Sequence, residues 1–419
     1  MRLLPTLALG VFLGALDMNI LALALPAFSA AFDIQAAATV WIVTAYSAAY
    51  LVAMPIIGRL GDMFGRRRMF LAGLMVFTLG SLLCAGSGWA GNVLWLMLAG
   101  RVLQGLGAGG IVPVATAMIG EHVPAEKRGR ALGVIGMVFA VASILGPITG
   151  GLLLDFVAWE WLFAINVPIG ILAVAMAMRQ LPGEAGGDRG QVDWLGGALL
   201  TVALATFMVG AEVMTANLKI FYPWHHGAVK GLWAASAVSL LAFLWRERAA
   251  SSPMLDLSLY RLGPVRLSFA LGFLYGVGMM IAMVFTPMFF HYRFGFTSIQ
   301  AGLALLPMAF AMGYSAMKGG RSTDKVGARK IMGLGLGLFA AGLGLLAGLL
   351  SWAPIWAILG ALVVVGLGFG YCHAPLNHVV LKAVDAARHG QATGAINTHR
   401  SLGGIVGATA GALFIADSM

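Results

Sequence analysis

Gly58-Arg59-Leu60-Gly61-Asp62-Met63-Phe64-Gly65-Arg66-Arg67-Arg68 returns later in the chain as Gly320-Arg321-Ser322-Thr323-Asp324-Lys325-Val326-Gly327-Ala328-Arg329-Lys330. Five of the eleven positions are identical at an offset of 262. At offset 261, Gly105, Gly107 and Gly109 match Gly366, Gly368 and Gly370, and Gly129, Gly133, Gly146 and Gly150 match Gly390, Gly394, Gly407 and Gly411. Glycine is common here, with 58 residues, so any one match is weak. A near-constant offset across three segments is the signature of a duplicated unit.

The surroundings of the repeat are apolar. Of 419 residues, 60% are hydrophobic and 10% charged, and the mean hydropathy is +0.91. Soluble domains carry about 25% charged residues. A soluble fold cannot hide this much apolar surface, so the chain reads as an all-α integral membrane protein. A crossing needs about 20 apolar residues. Thirteen stretches qualify, near 5–29, 39–60, 69–88, 92–120, 130–154, 161–180, 194–213, 229–245, 266–290, 299–317, 330–350, 354–376 and 391–415. No A-x-A cleavage site follows Pro26, so the first is read as a span and not as a signal peptide.

The net charge of +10 invites a nucleic-acid reading, and the positions of the charges dismiss it. With the N-terminus in the cytoplasm, 21 of the 26 Lys and Arg fall in cytoplasmic loops. Lys219, Lys230 and Arg293 fall outside, and Arg101 and Arg400 lie within spans. That asymmetry follows the positive-inside rule. Cys84 and Cys372 both lie in apolar stretches, which gives neither a disulfide framework nor metal spacing.

The repeat pairs the second span with the tenth, the fourth with the twelfth and the fifth with the thirteenth. Two six-helix units are therefore expected, 1–180 and 266–419, separated by an insert over 181–265 that carries two extra helices. The partner of the sixth span is expected near 422–441, past residue 419. The expectation is a chain truncated before a fourteenth helix.

Several motifs carry a family resemblance. The segment Gly58 to Arg68 resembles the signature cytoplasmic loop of the major facilitator superfamily. Arg101-Val102-Leu103-Gln104-Gly105-Leu106-Gly107-Ala108 resembles its fourth-helix motif, R-x-x-Q-G-x-G-A. Gly146-Pro147-Ile148-Thr149-Gly150-Gly151 resembles the fifth-helix antiporter motif, G-P-x-x-G-G. Leu16-Asp17-Met18-Asn19-Ile20 through Ala24-Leu25-Pro26 resembles the first-helix motif, and Trp159 to Gly170 and Asn397-Thr398-His399-Arg400 complete the pattern. Together they resemble the fourteen-helix drug:proton antiporter branch over essentially the whole chain. Ala22 and Asn19 depart from the first-helix motif, and Glu160 stands where arginine is usual, at a place expected to lie outside the core.

What the residues say physically can be set beside what the resemblance implies. Asp17 lies mid-span, where a carboxylate is costly unless paired or protonated. Arg101 is its expected partner. The resemblance implies proton coupling by this pair; the alternative is a static ion pair that fixes helix register. Gly146, Pro147, Gly150 and Gly151 form either a bend that seals the cavity, as the resemblance implies, or ordinary small-residue packing. Gly58, Asp62, Gly65, Arg66 and Arg67, mirrored by Asp324, Arg329 and Lys330, can bridge the halves at the cytoplasmic face; simple positive-inside anchoring is the other reading. Tyr46 and Tyr50 are one turn apart and, with Asn19, Gln104, Asn397 and Arg400, are candidates to line a cavity. Met279, Met280, Met283, Met288, Met308 and Met312 are suited to varied apolar ligands, and more ordinarily to packing. His373, His378 and His399 lack a matched acid.

No P-loop, zinc spacing, catalytic triad or nucleotide motif appears, so no enzyme and no cofactor are expected. An ion gradient must then supply the energy. One charge crossing 100 mV is worth about 2.3 kcal/mol. The sequence reads as a secondary antiporter of the inner (plasma) membrane, exporting a lipophilic compound against protons. The expected partners are a small-molecule substrate, protons and the bilayer, with no nucleic acid; a periplasmic adaptor is implied by family analogy alone. An importer or uniporter of the same fold, or a non-transporting truncated membrane protein, are the alternatives.

Overall fold

The computed structural model describes residues 3–21, 24–183, 191–215, 227–350 and 352–418. Ala22, and Arg2, Arg189 and Lys219 of the charge count, lie outside them. The described residues are helical, with no strand among them.

Eight helices make the N-terminal bundle: α1 (Leu3–Ile20), α2 (Leu25–Phe32), α3 (Ala36–Phe64), α4 (Arg66–Trp89), α5 (Leu94–His122), α6 (Ala125–Phe156), α7 (Trp161–Ala164) and α8 (Asn166–Gln180). Two further helices follow, α9 (Trp194–Thr215) and α10 (Gly227–Ala249). The C-terminal bundle holds α11 (Gly263–Phe294), α12 (Ser298–Leu303), α13 (Leu306–Val326), α14 (Ala328–Leu349), α15 (Ile355–Ala383) and α16 (His389–Ser418). Among the described residues, eleven helical stretches are long and apolar enough to cross a membrane by length and composition alone. Each expected crossing falls on one helix or two successive helices, and the expected spans 299–317 and 391–415 are the two outside those eleven.

Proline explains where the expected spans divide. The reading of one span over 5–29 is corrected: α1 ends at Ile20, and Pro26 sits in the first turn of α2, where its missing N–H costs nothing. The sixth span divides at Ile165, because Pro168 gives no N–H to the carbonyl of Ala164. The tenth divides before Pro307, after α12 has been started by a Thr297/Gln300 capping box.

The repeat is visible as packing. Helix α5 lies against α3 and α4 as α15 lies against α13 and α14. A Cβ on Gly105 would strike the carbonyl oxygen of Tyr46, and one on Gly366 that of Met308. Gly109 stands in the same relation to Tyr50, and Gly370 to Met312. The partners repeat with the sequence, so the two bundles are built on one glycine-mediated helix contact. Between bundles, α3 crosses α16 and α6 crosses α13. Helices α9 and α10 pair with each other, and α9 lies on α3 and α16.

Candidate functional site: a buried carboxylate beside a methionine-lined cavity

Asp17, on α1, is fully buried. Its Oδ2 accepts a hydrogen bond from Arg101 Nη1 at 2.6 Å. Its Oδ1 accepts from Gln104 Nε2 at 2.9 Å and from Asn166 Nδ2 at 2.8 Å. Helical spacing puts Arg101 and Gln104 on one face of α5, where Arg101 also donates to Gln104 Oε1 at 2.7 Å. Gln104 donates on to Ser81 of α4 at 2.7 Å. Arg101 Nε donates to the Ile42 carbonyl at 3.1 Å, and its guanidinium lies 4.2 Å from the centroid of the Tyr46 ring. Four helices of one bundle thus surround a single carboxylate with three side-chain donors. A buried charge survives in this way, paired and hydrogen-bonded.

The next residues along α1 face elsewhere. Met18 and Asn19 line a cavity of about 690 Å³, walled further by Pro147, Ile148 and Gly151 of α6. Met283 and Met288 of α11 and Met308 and Met312 of α13 complete the apolar wall. Its polar groups are Asn19, Ser143, Asp155, His291 and Tyr292. A cavity between two related bundles, a carboxylate on its inner wall helix and a duplicated charged turn on one face define one architecture. The profile of the Major Facilitator Superfamily matches residues 7–408. The chain belongs to the major facilitator superfamily.

Relatives agree on this transporter family and differ in cargo. "Multidrug resistance protein 3" of Bacillus subtilis is 32% identical over 96% of this chain and 77% of its own length. "Riboflavin transporter RibZ" of Clostridioides difficile is 28% identical over 99% of this chain and 88% of its own. Across such relatives the chain spans between 58% and 88% of the partner's length. In fold, the human organic anion transporter MFSD10 superposes with a TM-score of 0.70 at 18% identity, covering 99% of this chain and 93% of that one.

The major facilitator's duplicated turn is a pair of helix clamps. Gly65 and Gly327 take φ of 99° and 91°, which lets α3 turn into α4 and α13 into α14 without a gap. One residue triplet earlier, Asp62 accepts from the amides of Gly390 and Gln391 at 2.9 and 2.8 Å, capping α16 of the other bundle. Asp324 accepts from Gly129 and Arg130 amides at 2.8 and 2.9 Å, capping α6. Asp62 satisfies free first-turn N–H groups of α16, whereas Gly129 and Arg130 lie one turn inside α6; each carboxylate faces the positive end of the helix it touches. Gly58 abuts Gly390, and Gly129 abuts Gly320, so closely that a Cβ on any of the four would strike the facing carbonyl.

The two clamps are not identical. Arg66 pairs with Asp62 at 2.7 Å and Glu121 at 2.5 Å, and also donates to the Ala386 carbonyl. Its repeat equivalent is Ala328. Arg329, expected beside Asp324, is exposed and forms no ion pair with it among the described residues, because it occupies the position of Arg67, which turns aside to the Met178 carbonyl.

The remaining candidates fall in three places. Gly146 and Gly150 press α6 onto Asn19 and Ile20 of α1, while Pro147 and Gly151 line the cavity. Tyr46 and Gln104, grouped with the cavity candidates, belong to the Asp17 cluster; Tyr50 stacks on Tyr46 at 5.8 Å. Arg400 donates to Asn397 at 2.7 Å, approaches His373 at 3.4 Å and lies 5.9 Å from the Phe139 ring centroid, away from the large cavity. Glu160, expected outside the core, is half-buried and fills the space over Gly88. Sequence reasoning passed over Asn166 and Ser81. Asn166 was within reach, because it is the one amide in the Trp159 to Gly170 stretch, two residues before a helix-breaking proline.

Proposed function

We propose that this major facilitator is a proton-coupled antiporter of the plasma membrane, its clamp face cytoplasmic, exporting lipophilic small molecules by alternating access. The observation that carries the reading is Asp17: a fully buried carboxylate whose chain neighbours Met18 and Asn19 form the cavity wall. Protonation removes the charge that Arg101, Gln104 and Asn166 converge on. Arg101 then loses the anion it pairs with, the bonds from Gln104 and Asn166 weaken to neutral ones, and the polar tie of α1 to α5 and α8 loosens. Substrate entering the cavity presses on the same two-residue stretch of α1. Proton and substrate therefore act on one element, which is what coupling between them requires.

The cavity favours uncharged, bulky cargo. Five methionines line it, a flexible and polarisable surface that adapts to varied shapes. Its one carboxylate, Asp155, is exposed, so no buried acid waits there for a cation. The kinship with a multidrug resistance protein and the antiporter motif support export and a reading within the fourteen-helix branch.

The test is efflux of an uncharged lipophilic dye from efflux-deficient cells, with a protonophore added midway. Wild type excludes the dye until the protonophore is added. Asp17→Asn fails to exclude it while reaching the membrane in normal amounts. Undiminished proton-coupled efflux by Asp17→Asn would sink the assignment. Import by the same fold is the second reading, and the relative named as a riboflavin transporter shows only that cargo differs among such relatives. Proteoliposomes decide between them: antiport moves protons against the substrate, and symport moves both the same way.

A further inference from the structure

The large cavity shares its walls with the surface that faces the bilayer. Helix α6 carries an exposed stripe at helical spacing: Val141, Leu145, Ile148, Leu152 and Phe156. Val141 and Leu145 are exposed without lining the cavity, while Ile148 and Leu152, further along the same stripe, line it. The facing helices repeat the pattern. Leu303 of α12 and Phe310 and Tyr314 of α13 are exposed, two turns and then one turn apart, and of these Leu303 lines the cavity. An outer surface that becomes cavity wall on both sides of a seam marks the edges of a sideways opening. On the other flank, α9 lies on both α3 and α16.

The opening occupies one half of the seam. Toward the clamp face α6 and α13 are shut by close approach: a Cβ on Gly129 would strike the Gly320 carbonyl, one on Gly133 the Ala316 carbonyl, and one on Gly313 would crowd Ala140. The cavity begins just beyond, at Ser143 and Met312, and runs to Asp155 and Tyr292 in the last turns of α6 and α11. From 143 to 155 the helix rises about 18 Å, against about 15 Å for half of the hydrocarbon core. Polarity changes along that rise. Asp155, His291 and Tyr292 sit at the end away from the clamps. Deeper, Asn19 donates to the Ala15 carbonyl at 2.7 Å and Ser143 to the Phe139 carbonyl at 2.9 Å, each within its own helix. The wall around them is apolar, with Met18, Met283, Met308 and Met312. Met18 is 46% exposed, and it is the one exposed residue of α1 after Pro5, so its exposure is to the cavity. Water in so apolar a space finds few partners. A chain with its polar end at the surface finds a match at every depth.

We infer that the cavity opens sideways, between α6 and α12, into the leaflet away from the clamp face, and that a phospholipid acyl chain fills it when cargo does not. Lipophilic cargo passes between the cavity and that leaflet through the same window, without entering water. The inference rests on the transport reading only in naming that leaflet the outer one and the passage export. The window itself stands on the packing.

Spin labels on the full chain in proteoliposomes test it. No proton gradient is applied, so this result and the efflux result for Asp17→Asn fail separately. Met18→Cys reports the interior, Ile148→Cys and Leu303→Cys the edges, Phe310→Cys the bilayer face and Lys325→Cys the clamp face; the native Cys84 and Cys372 are buried. Each label is relaxed in turn by oxygen and by a water-soluble nickel chelate. The oxygen-to-nickel ratio at Met18 should match that at Phe310 and stand about tenfold above that at Lys325, because a polar complex is excluded from hydrocarbon. A ratio at Met18 close to that at Lys325 overturns the inference even if Ile148 and Leu303 remain lipid-like, since it describes a water-filled vestibule with an ordinary rim. A second measurement needs no substitution. Phosphatidylethanolamine carrying a diazirine at the end of its acyl chain should tag the unmodified protein at Met18 as well as at Phe310, and tagging at Phe310 alone overturns the inference. A saturating uncharged dye should remove the tag at Met18 and spare the one at Phe310; a Met18 tag that the dye leaves unchanged overturns the shared window.

Discussion

Arg101 has three acceptors at fixed places: a carboxylate, an amide and a backbone carbonyl. Arg101→Ala leaves Asp17 buried with only neutral donors and costs about 3–5 kcal/mol. Arg101→Lys recovers little, because a point charge cannot span that fork. Thermal unfolding of the detergent-purified protein checks both, and a melting point within a degree of wild type for Arg101→Ala would contradict the geometry. Gly65 and Gly327 make a second case. Both combine positive φ with an extended ψ of 130° and 148°, a region nearly closed to a Cβ, so alanine at either costs about 1–3 kcal/mol. Gly337→Ala, where a Cβ meets open space and φ is ordinary, does not destabilise. Equal melting points for the three variants would refute this. Asp17 and Arg101 were readable in the sequence because a charge in an apolar run stands out. Asn166 was not, because an amide costs less and the break that aims it is set by Pro168. Helical spacing gave Tyr46 and Gln104 a face but not the neighbour that face meets.

Among the elements, the strap that links α10 to α11 over residues 250–262, where Arg388 pairs with Asp256 at 2.7 Å, is one whose stability is tied to pH. Burial raises the Asp256 carboxyl, but bonds from Ser258 and the Arg388 guanidinium outweigh it and hold it below the ordinary carboxylate range. A lowered value means that the contact is fully formed above the unfolded carboxylate's value and is lost as pH falls through the folded one. Amide exchange over residues 254–259, corrected for the intrinsic pH effect, should stay protected down to about pH 4 and rise below it. In Asp256→Asn it should be raised already at neutral pH. Protection that persists unchanged at pH 3 in both would show that apolar burial alone holds the strap. Hydropathy located the helices, since twenty apolar residues have few other fates in a membrane protein. It could not locate the strap, which is too short and too mixed in polarity to stand out, and which is fixed only when Arg59 reaches Ser252 and Arg388 reaches Asp256. Span ends were blurred for a related reason: proline shows that a helix breaks, while neighbours decide where it resumes.

At the scale of the molecule, the offset that was legible as matching glycines turns out to be a matching of contacts, with Gly105 on Tyr46 and Gly366 on Met308. Duplication thus specified the frame twice. The cavity is where the copies part company, and no repeat could reveal it. Its size sets a test: Ile148→Trp, on the cavity wall and 37% exposed, narrows the space without touching the Asp17 cluster. Export of a bulky dye should fall at least tenfold, while a compound half its size still moves and the melting point holds. Equal losses for both cargoes would place the path elsewhere. The polar cluster has a further consequence. Its place in the second copy is held by Leu362 and Val365, the equivalents of Arg101 and Gln104, and the deep charge of that copy is Arg400. Asp17 with Arg101 is electrically silent, and one added proton makes it a unit cation. On the proposed coupling, the membrane voltage pulls on Arg400 at all times but on the Asp17 cluster only while it holds a proton, so each proton changes the torque between the two halves.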